Sequence, residues 1–493
     1  LLASSAASDV YKRQIMKKSY YLLGFLPLFY SCSEIEDLPN VESSVSNVTT
    51  RAAGDGVYDV LGYGYDITDD YMGENSTRLK ILDVEAFVKA NPNRFDKQFS
   101  GVIDQRCFAG ADAQSFLSQI ITDTNFSGSV GSLPEKKDKE GFFSGTITTG
   151  FKTSSKYFYS SKYSFARAEV FKKQRRYLLN TDIETLSKYL LSSFVEDLNK
   201  YSADKIVEMY GTHVLTNITV GGKYTAYYKS VIIEENSSTE KTEIVSAGAK
   251  YNLSNIGLDA HGSWSKTEVE ERNKKNSNWE CYIKALGGST SGTTITLAPE
   301  QGPSFSINLG AWTESVDDQH SRLFDVNWNA TYPIYDLISD PIKKQEMKEA
   351  VFRYIDSKKI DVIELLPLYQ YYSDKYINHS YTTHWRGEVD LTDRYEGVIG
   401  YICAKQLPGT TPLYEYYSEK YVNHSYCTNW RGTISGTDRY QGTLGYIYTS
   451  QVPGTTPLYG YYSKKYTNHS LSTHWRGTQE GSDAYQCTWG YVY

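Results

Sequence analysis

The stretch that decides the fold is YGTHVLTNITVGGKY, residues 210–224. Near its end it contains the glycine pair Gly221-Gly222. Glycine tolerates positive φ and lets two backbones approach closely, which suits a point where a sheet bends and must open. The alternative is a plain β-bulge. A second pair, Gly287-Gly288, follows the strand-like run at residues 279–286, so the chain offers two candidate hinges.

Further motifs lie on both sides of this stretch. LGYGYD occupies residues 61–66, WTES occupies residues 312–315 and YPIYDL occupies residues 332–337. Residues 182–209 are helix-like, because apolar side chains recur there at helical spacing. These side chains are Leu186, Leu190, Leu191, Phe194 and Leu198.

Together these motifs resemble the membrane-attack-complex/perforin (MACPF) family, over roughly residues 56–365. The family signature is matched by Tyr210, Gly211, Thr212 and His213, then Val214, six residues and the pair Gly221 and Gly222. Many members carry Tyr or Phe where Val214 stands. Secreted MACPF antimicrobial lipoproteins of Bacteroidetes are similar proteins.

The resemblance implies an α+β fold with a bent, four-stranded antiparallel sheet and two flanking helical clusters, as in cholesterol-dependent cytolysins. In pore-forming members both clusters unfurl into amphipathic β-hairpins, and a ring of subunits lines a large pore. His213 stands in no Ser/His/Asp or Cys/His arrangement, so we interpret it as an interior histidine that holds the sheet bend. No enzyme is indicated, and we expect no cofactor and no metal.

Two segments have the alternation that a membrane hairpin requires. The clearer one begins at Val245 and continues, after a one-residue phase change, to residue 261; the other covers residues 143–151. Any half-exposed strand of a soluble sheet would show the same period. The predicted lipid-facing side chains are Val245, Ala247, Ala249, Tyr251, Leu253, Ile256 and Leu258.

Length and charge restrict the function classes. The chain has 493 residues, which argues for at least two domains. It has 51 basic and 58 acidic residues and a net charge of −7, which argues against nucleic acid as a partner.

The N-terminal region predicts export. Residues 1–15 are interpreted as an upstream or artefactual extension, and residues 16–31 as a signal peptide. Cys32 is the predicted lipidation site, and residues 32–55 form a tether. The alternatives are plain secretion or an uncleaved signal anchor. We expect a lipid anchor in the outer membrane, exposure on the cell surface, or secretion. Five cysteines remain, and their spacing suggests neither a pairing nor a metal site.

Residues 366–493 contain three copies of one unit, which begin at Pro367, Pro412 and Pro457, 45 residues apart. Of the 45 tyrosines in the chain, 22 lie in residues 367–493. Short aromatic-rich runs and turn residues indicate β-structure, so we predict an all-β, three-repeat module similar to a β-trefoil. Equivalent positions hold the candidate ligand-binding residues Tyr369, Tyr414, Tyr459, His379, His424, His469, Trp385, Trp430 and Trp475.

These nine residues allow two interpretations. They could form three equivalent pockets for sugars, with aromatic faces on pyranose rings and polar groups on hydroxyls. Alternatively, Trp and the first Tyr form a repeated core, and the Asn-His pair fixes a turn. A zinc site from the three histidines would require them to converge on one axis.

We therefore predict a pore-forming toxin, acting on competing bacteria, that binds a target surface through its repeats. Its receptor would be a glycan, lipopolysaccharide or an outer-membrane protein, and it would form a homo-oligomeric ring on the target membrane. The alternative is a non-lytic surface adhesin or glycan-binding lipoprotein.

Overall fold

A computed structural model describes residues 56–69, 72, 74–123, 160–297, 299, 306–358, 363–434, 436–478 and 483–493. The predicted signal peptide, Cys32, the tether and the alternating segment at 143–151 lie outside these residues. None of the helices described combines the length and the apolar character needed to cross a membrane.

Strands and helices alternate in the part of the chain that precedes the repeats. Its strands are β1 (Tyr63–Tyr65), β2 (Thr77–Lys80), β3 (Phe95–Phe99), β4 (Ile103–Gly110), β5 (Ser164–Leu179), β6 (His213–Val214), β7 (Asn217–Val231), β8 (Ser277–Leu286), β9 (Thr294–Leu297), β10 (Arg322–Val326) and β11 (Tyr332–Pro333). Its helices are α1 (Val84–Ala90), α2 (Ala113–Asp123), α3 (Ile183–Leu186), α4 (Ser192–Lys200), α5 (Ala203–Tyr210), α6 (Ser238–Asn255), α7 (Lys266–Asn273), α8 (Leu309–Ser315) and α9 (Pro341–Ser357).

The large sheet has seven strands among the described residues, where the family resemblance suggested four. Its order is β3-β5-β7-β8-β9, with β4 also paired to β5 and β10 to β7, and every pair is antiparallel. The central strands β5 and β7 have 16 and 15 residues. Because side chains alternate along a strand, Ala166, Ala168 and Val170 point to one face of β5 and pack there against α6.

The remaining strands β11-β6-β1-β2 form a smaller, four-stranded sheet. The helix-like stretch at 182–209 is not one helix but three, α3, α4 and α5. Leu190 and Leu191 have extended backbone angles between the first two, and Tyr201 does so between the last two. Ser202 then caps α5 by accepting a hydrogen bond from the Lys205 amide. Helical spacing of the leucines did not reveal these interruptions.

Each repeat of the C-terminal module folds into three strands, so the prediction of an all-β region is confirmed. They are β12 (Leu365–Ser373), β13 (Asn378–Thr382), β14 (Arg394–Cys403), β15 (Thr410–Ser418), β16 (Asn423–Cys427), β17 (Arg439–Tyr448), β18 (Thr456–Ser463), β19 (Asn468–Ser472) and β20 (Ala484–Val492). In every repeat the first strand pairs with the other two.

The third strands join the repeats to one another. Cys403 pairs with Tyr446, and Tyr448 pairs with Tyr491. Tyr401 and Tyr493 exchange two backbone hydrogen bonds of 2.6 and 3.0 Å. The first repeat therefore contacts both the second and the third. Equivalent leucines fill the space between the repeats, namely Leu368, Leu413 and Leu458.

One tyrosine links all three repeats at the centre of the module. Tyr381, in the first repeat, is 1% exposed. Its amide donates to the hydroxyl of Tyr426 at 2.9 Å. Its own hydroxyl accepts from the amide of Leu471 at 2.7 Å and donates to the carbonyl of Leu471 at 3.0 Å. The third repeat has Leu471 where the other two have tyrosine. The backbone amide and carbonyl of Leu471 therefore serve as the partners of the Tyr381 hydroxyl.

We expect Tyr381→Phe to lower the free energy of unfolding by about 2 kcal/mol, because it leaves a buried amide and a buried carbonyl of Leu471 without a partner. Chemical denaturation followed by circular dichroism measures the change. Tyr414→Phe is the matched control, since the hydroxyl of Tyr414 makes no hydrogen bond within the described part of the chain. Equal stability of the two variants would contradict the assigned role of Tyr381.

Candidate functional site

The signature residues lie where three distant segments of the chain meet. The amide and hydroxyl of Thr212 both donate to the carbonyl of Tyr65, at 2.8 and 3.1 Å. The carbonyl of Thr212 accepts from the amide of Ile334 at 2.9 Å. Gly211 has a φ of +78°, and a Cβ there would lie 2.6 Å from the carbonyl of Tyr65. The signature therefore joins the LGYGYD and YPIYDL motifs, which explains why the three occur together.

Tyr210 and His213, the outer members of the signature, are both interior. The hydroxyl of Tyr210 donates to a carboxylate oxygen of Asp197 at 2.7 Å, and burial followed by this contact raises the pKa of the phenol. His213 is 1% exposed, and its Nδ1 lies 3.0 Å from the hydroxyl of Thr212. His213 belongs to β6 of the small sheet, so its interior position is confirmed, and its role at the bend of the large sheet stays a prediction.

The two glycine pairs come together beside Trp312. A Cβ on Gly222 would lie 2.9 Å from the Trp312 ring, and one on Gly221 would lie 2.0 Å from a carbonyl of β5. Gly287 and Gly288 have φ values of +76° and +68°. The indole Nε1 of Trp312 donates to the carbonyl of Gly287 at 3.2 Å. Positive φ is therefore needed only at the second pair, whereas the first pair is needed for close approach.

A β-bulge is present at the same place, on the neighbouring strand. The pairing of β5 with β7 shifts between Lys173 and Arg175, and Lys173 lies opposite Gly221. A β-bulge, the alternative to a hinge at Gly221-Gly222, is therefore present in this structure, together with the close approach of the backbones. The local geometry gathers four glycines, a bulge and the end of α8 at one point of the large sheet.

A buried carboxylate neutralises several cations on the face of the large sheet that lies opposite α6. Glu169 of β5 is fully buried and contacts Arg106 of β4, Arg167 at 2.8 Å and Lys223 of β7 at 3.5 Å. Thr225 donates to the same carboxylate at 3.2 Å. Burial by itself would raise the pKa of Glu169, but the cations outweigh it and hold the pKa well below its usual range.

The segment predicted to face lipid is a helix in this structure, not a strand. Residues 245–255 belong to α6, and its buried positions do not alternate, because Ser246, Gly248 and Asn252 are buried too. Buried and exposed residues alternate only after the helix, from Ile256 to Ala260. Of the seven predicted residues only Tyr251 is half-buried, whereas Val245, Ala247, Ala249, Leu253, Ile256 and Leu258 are buried.

Small side chains explain how α6 packs so closely on the sheet. A Cβ on Gly248 would lie 2.4 Å from the ring of Tyr228. The hydroxyl of Ser246 lies 3.2 Å from the sulfur of Cys107 on β4. Ser237 caps the helix by accepting from the amide of Glu240 at 3.3 Å. The resting position of α6 thus depends on residues that take up little volume.

The linker between β7 and α6 is held by the first repeat of the module, and both belong to one compact unit. The side chain of Asn236 accepts from the amide of Trp385 and donates to its carbonyl, both at 2.9 Å. The hydroxyl of Tyr369 donates to the carbonyl of Ile233 at 2.6 Å. We call these three hydrogen bonds the linker contact. Ser161, just before β5, is also bonded to the module, through both backbone groups of Leu365.

The predicted tryptophans and tyrosines form one aromatic cluster in each repeat, but their exposure differs. Trp385 is half-buried against the linker, whereas Trp430 and Trp475 are each 58% exposed. Tyr369 is buried, and Tyr414 and Tyr459 are half-buried. Each tryptophan packs against a further tyrosine at about the same distance; these are Tyr395 at 4.7 Å, Tyr440 at 4.8 Å and Tyr485 at 4.8 Å.

The three histidines lie apart from the tryptophans, at the junctions between repeats. His379 contacts Asn468 of the third repeat, and burial lowers the pKa of its imidazole. His424 lies 2.8 Å from a carboxylate oxygen of Glu415. His469 lies 3.3 Å from the side-chain oxygen of Gln486. Within the described residues, no group of three or more His, Cys, Asp or Glu side chains is placed to hold a metal ion.

Sequence reasoning missed several residues of these sites. Glu169 carries no local signal, since it is one of six charged residues in β5, and the WTES motif drew attention to Trp312 without predicting its contact with the glycine pairs. Each repeat also has an Arg-Asp pair at its junction, and its fixed spacing of seven residues would have revealed it. These pairs are Arg386 and Asp393, Arg431 and Asp438, and Arg476 and Asp483.

Comparison with known proteins gives matches over both parts of the chain. The family model of the MAC/Perforin domain matches residues 47–364. A second family, described as a domain of unknown function (DUF5648), matches residues 343–435. No curated protein matches.

Two solved structures are similar to the chain over most of its length. A MAC/Perforin-domain protein from Bacteroides thetaiotaomicron is 18% identical, with a TM-score of 0.46, and the alignment covers 73% of this chain and 70% of that one. GNIP1Aa from Chromobacterium piscinae is 15% identical, with a TM-score of 0.46 and coverage of 88% and 82%. The family match alone spans more than half of the sequence, and it includes the signature junction and both glycine pairs. The chain belongs to the MAC/Perforin family.

Proposed function

We propose that this perforin-like protein is a pore-forming antibacterial toxin. It attaches to a target cell through its C-terminal module, assembles with further copies into a ring on the membrane, and inserts α6 as one strand of a β-hairpin. The producing cell anchors it in the outer membrane through Cys32 or secretes it. The observation that carries the proposal concerns α6. It is a buried helix in this structure, yet apolar and polar residues alternate along its sequence as they do in a membrane strand.

The sequence of α6 is compatible with both the buried helix and the inserted β-strand. In the extended state Val245, Ala247, Ala249 and Leu253 share one side, opposite Ser246, Lys250 and Ser254. Residues 245–254 supply ten positions, which matches the roughly 9–11 residues of a membrane-spanning strand. Small apolar side chains favour release from the sheet, because burial stabilises in proportion to apolar area and alanine contributes little of it.

Attachment is assigned to the module because its three repeats are similar and present aromatic side chains to solvent. Three weak sites on one chain bind a surface far more strongly than one. The receptor is a glycan, lipopolysaccharide or an outer-membrane protein. No catalytic role is proposed for any part of the chain.

A non-lytic adhesin is the second candidate. The close packing of α6 and the linker contact favour it, since both would also be expected of a helix that never leaves the sheet. Release of α6 is therefore the property that separates the two functions.

We predict that Ser246→Cys creates a switchable lock. The new thiol would lie beside that of Cys107, a free cysteine, and a disulfide between them would hold α6 on β4. Burial raises the pKa of Cys107, so the thiol should be oxidised with copper phenanthroline. A disulfide typically contributes about 2–4 kcal/mol, so dye release from liposomes of bacterial outer-membrane lipid should fall at least about tenfold and return after reduction.

The control is Ser246→Cys combined with Cys107→Ser, which cannot form the bond and should release dye equally with or without oxidant. Wild-type protein that releases no dye under any condition would support the adhesin. Undiminished release by the oxidised lock, with the disulfide verified by mass spectrometry, would show that α6 does not move.

A further prediction concerns the linker contact. Asn236→Ala removes two hydrogen bonds between the linker and Trp385, each contributing about 1 kcal/mol. We expect it to leave binding to target cells unchanged and to speed dye release by about three- to tenfold. Asn255→Ala, at the exposed C-terminal end of α6, is the matched control. Slower release by Asn236→Ala would mean that the linker contact supports insertion instead of restraining it.

A further inference from the structure

We propose that the clefts between neighbouring repeats of the module are binding sites for neutral saccharides. The inference rests on the recognition role proposed above, and it names the surface and the ligand chemistry. The cleft between the first and third repeats has a volume of about 480 Å³. Ligand sites in proteins typically have volumes of about 300–1,000 Å³, so this cleft is large enough for one or two sugar rings.

Both repeats contribute side chains to this cleft. The first repeat supplies Tyr372 and His379, and the third supplies Tyr466, Asn468 and the pair of Arg476 with Asp483. Tyr466 is 44% exposed, and Nζ of Lys465 lies over its ring at 4.8 Å, so the face away from Lys465 is the one offered for stacking. Asn468 fixes His379 from two directions, because its oxygen accepts from the amide of His379 at 3.0 Å and its nitrogen lies 2.9 Å from His379 Nδ1.

The polar side of the cleft is built in the same way in every repeat. The guanidinium of Arg476 lies 3.2 Å from Asp483, donates to Ser470 at 2.7 Å and covers the ring of Tyr461 at 4.2 Å. In the first two repeats the arginine-aspartate distances are 2.9 and 3.3 Å, the arginine-serine distances are both 2.8 Å and the arginine-ring distances are both 4.4 Å. A fixed guanidinium and a fixed carboxylate, side by side, can donate to one hydroxyl of a ligand and accept from another.

A strained backbone also recurs at each junction. Ile377, Val422 and Thr467 have φ values of +54°, +47° and +51°, although all three are β-branched. Such residues avoid this region, so three equivalent cases indicate a conformation that the fold maintains at a cost. Each one follows an exposed tyrosine, and it fixes the path of the chain beside that ring. These tyrosines are Tyr376, Tyr421 and Tyr466, which are 45%, 51% and 44% exposed.

The charges of the cleft favour a neutral ligand. The positive charge of Arg476 is already balanced by Asp483, and Glu396 lies 3.4 Å from Nε2 of His379. Burial lowers the pKa of His379, which keeps the imidazole neutral near pH 7. Among the described residues that line the cleft, Arg476 is paired with a carboxylate and His379 faces Glu396, so sugar hydroxyls would find donors and acceptors beside an aromatic face. The cation that an anionic ligand would find is Lys465, whose Nζ lies 4.8 Å from the centre of the Tyr466 ring, and the heparin probe tests it. At the equivalent position of the second repeat, the buried side-chain oxygen of Asn423 has no hydrogen-bond partner within the described residues.

The clefts do not include the exposed tryptophans. Trp430 and Trp475 pack on the tyrosines of their own repeats, and Trp385 is occupied by the linker. The two surfaces can therefore be tested separately by single substitutions.

The test uses the full-length protein on an array of neutral mono- to tetrasaccharides, with heparin fragments as the anionic probe. We expect the wild-type protein to bind at least one neutral saccharide and not heparin. The triple variant Tyr376→Ala, Tyr421→Ala and Tyr466→Ala should bind this saccharide at least about tenfold more weakly, because the avidity of three sites is lost. Tyr201→Ala, which removes an exposed tyrosine outside the module, should bind as the wild type does.

Binding retained by the triple variant, binding lost by Trp475→Ala instead, or binding of heparin alone would overturn the assignment, as would a wild type that binds no saccharide. Dye release from glycan-free liposomes is measured on the same variants. It tests membrane permeabilisation and does not depend on the clefts, so failure of the saccharide sites and failure of the proposed pore give different results.

Discussion

The carboxylate of Glu169 is the constraint on which the large sheet depends. It lies at the middle of the longest strand and balances cations from β4, β5 and β7, so three neighbouring strands are joined by side chains as well as by their backbones. Removing one member of such a group leaves a buried charge uncompensated, which is far more costly than the net contribution of the group itself. These charges lie on one face of β5 and β7, and α6 packs on the opposite face, which carries Ala166, Ala168, Val170, Tyr224 and Ala226. Protonation of Glu169 would remove the balance, so its contribution to stability is present above the ordinary carboxyl range and is lost as the pH falls through its lowered pKa.

The sequence predicts the parts of the fold that need particular residue types at fixed spacing. Gly211 and the two glycine pairs could be recognised because no other residue fits their backbone angles or contacts. The all-β module could be recognised because its sequence unit occurs three times at a fixed spacing of 45 residues. In contrast, α6 has two periodicities at once, and the choice between them is made by the sheet beneath it. The charged strand β5 gave no signal for a central position, since six of its 16 residues carry a charge.

In the module, equivalent residues of the three repeats have the same surroundings in some cases and different surroundings in others. Its arginines, aspartates and serines have nearly the same geometry in all three copies, and the backbone strain at Ile377, Val422 and Thr467 recurs with them. The environments of its tryptophans differ, because among the described residues it is Trp385 of the first repeat that is bonded to the linker before α6. The nine candidate residues therefore separate into a junction set of histidines and a cluster set of tryptophans and tyrosines. Sequence alone could not divide them, since the neighbours that distinguish them lie about 150 residues away in the chain.

The linker contact also determines where mechanical load enters the molecule. A cell surface that holds the module and moves relative to the rest of the protein would transmit tension through Trp385 and Tyr369 to the residues just before α6. Force that lifts one end of a packed helix breaks its contacts one after another. Force along the helix axis would have to break them all at once. Peeling requires much less force for the same total work. A pull from the repeats would thus reach the residues just before α6 through these three hydrogen bonds, and the start of β5 through Ser161.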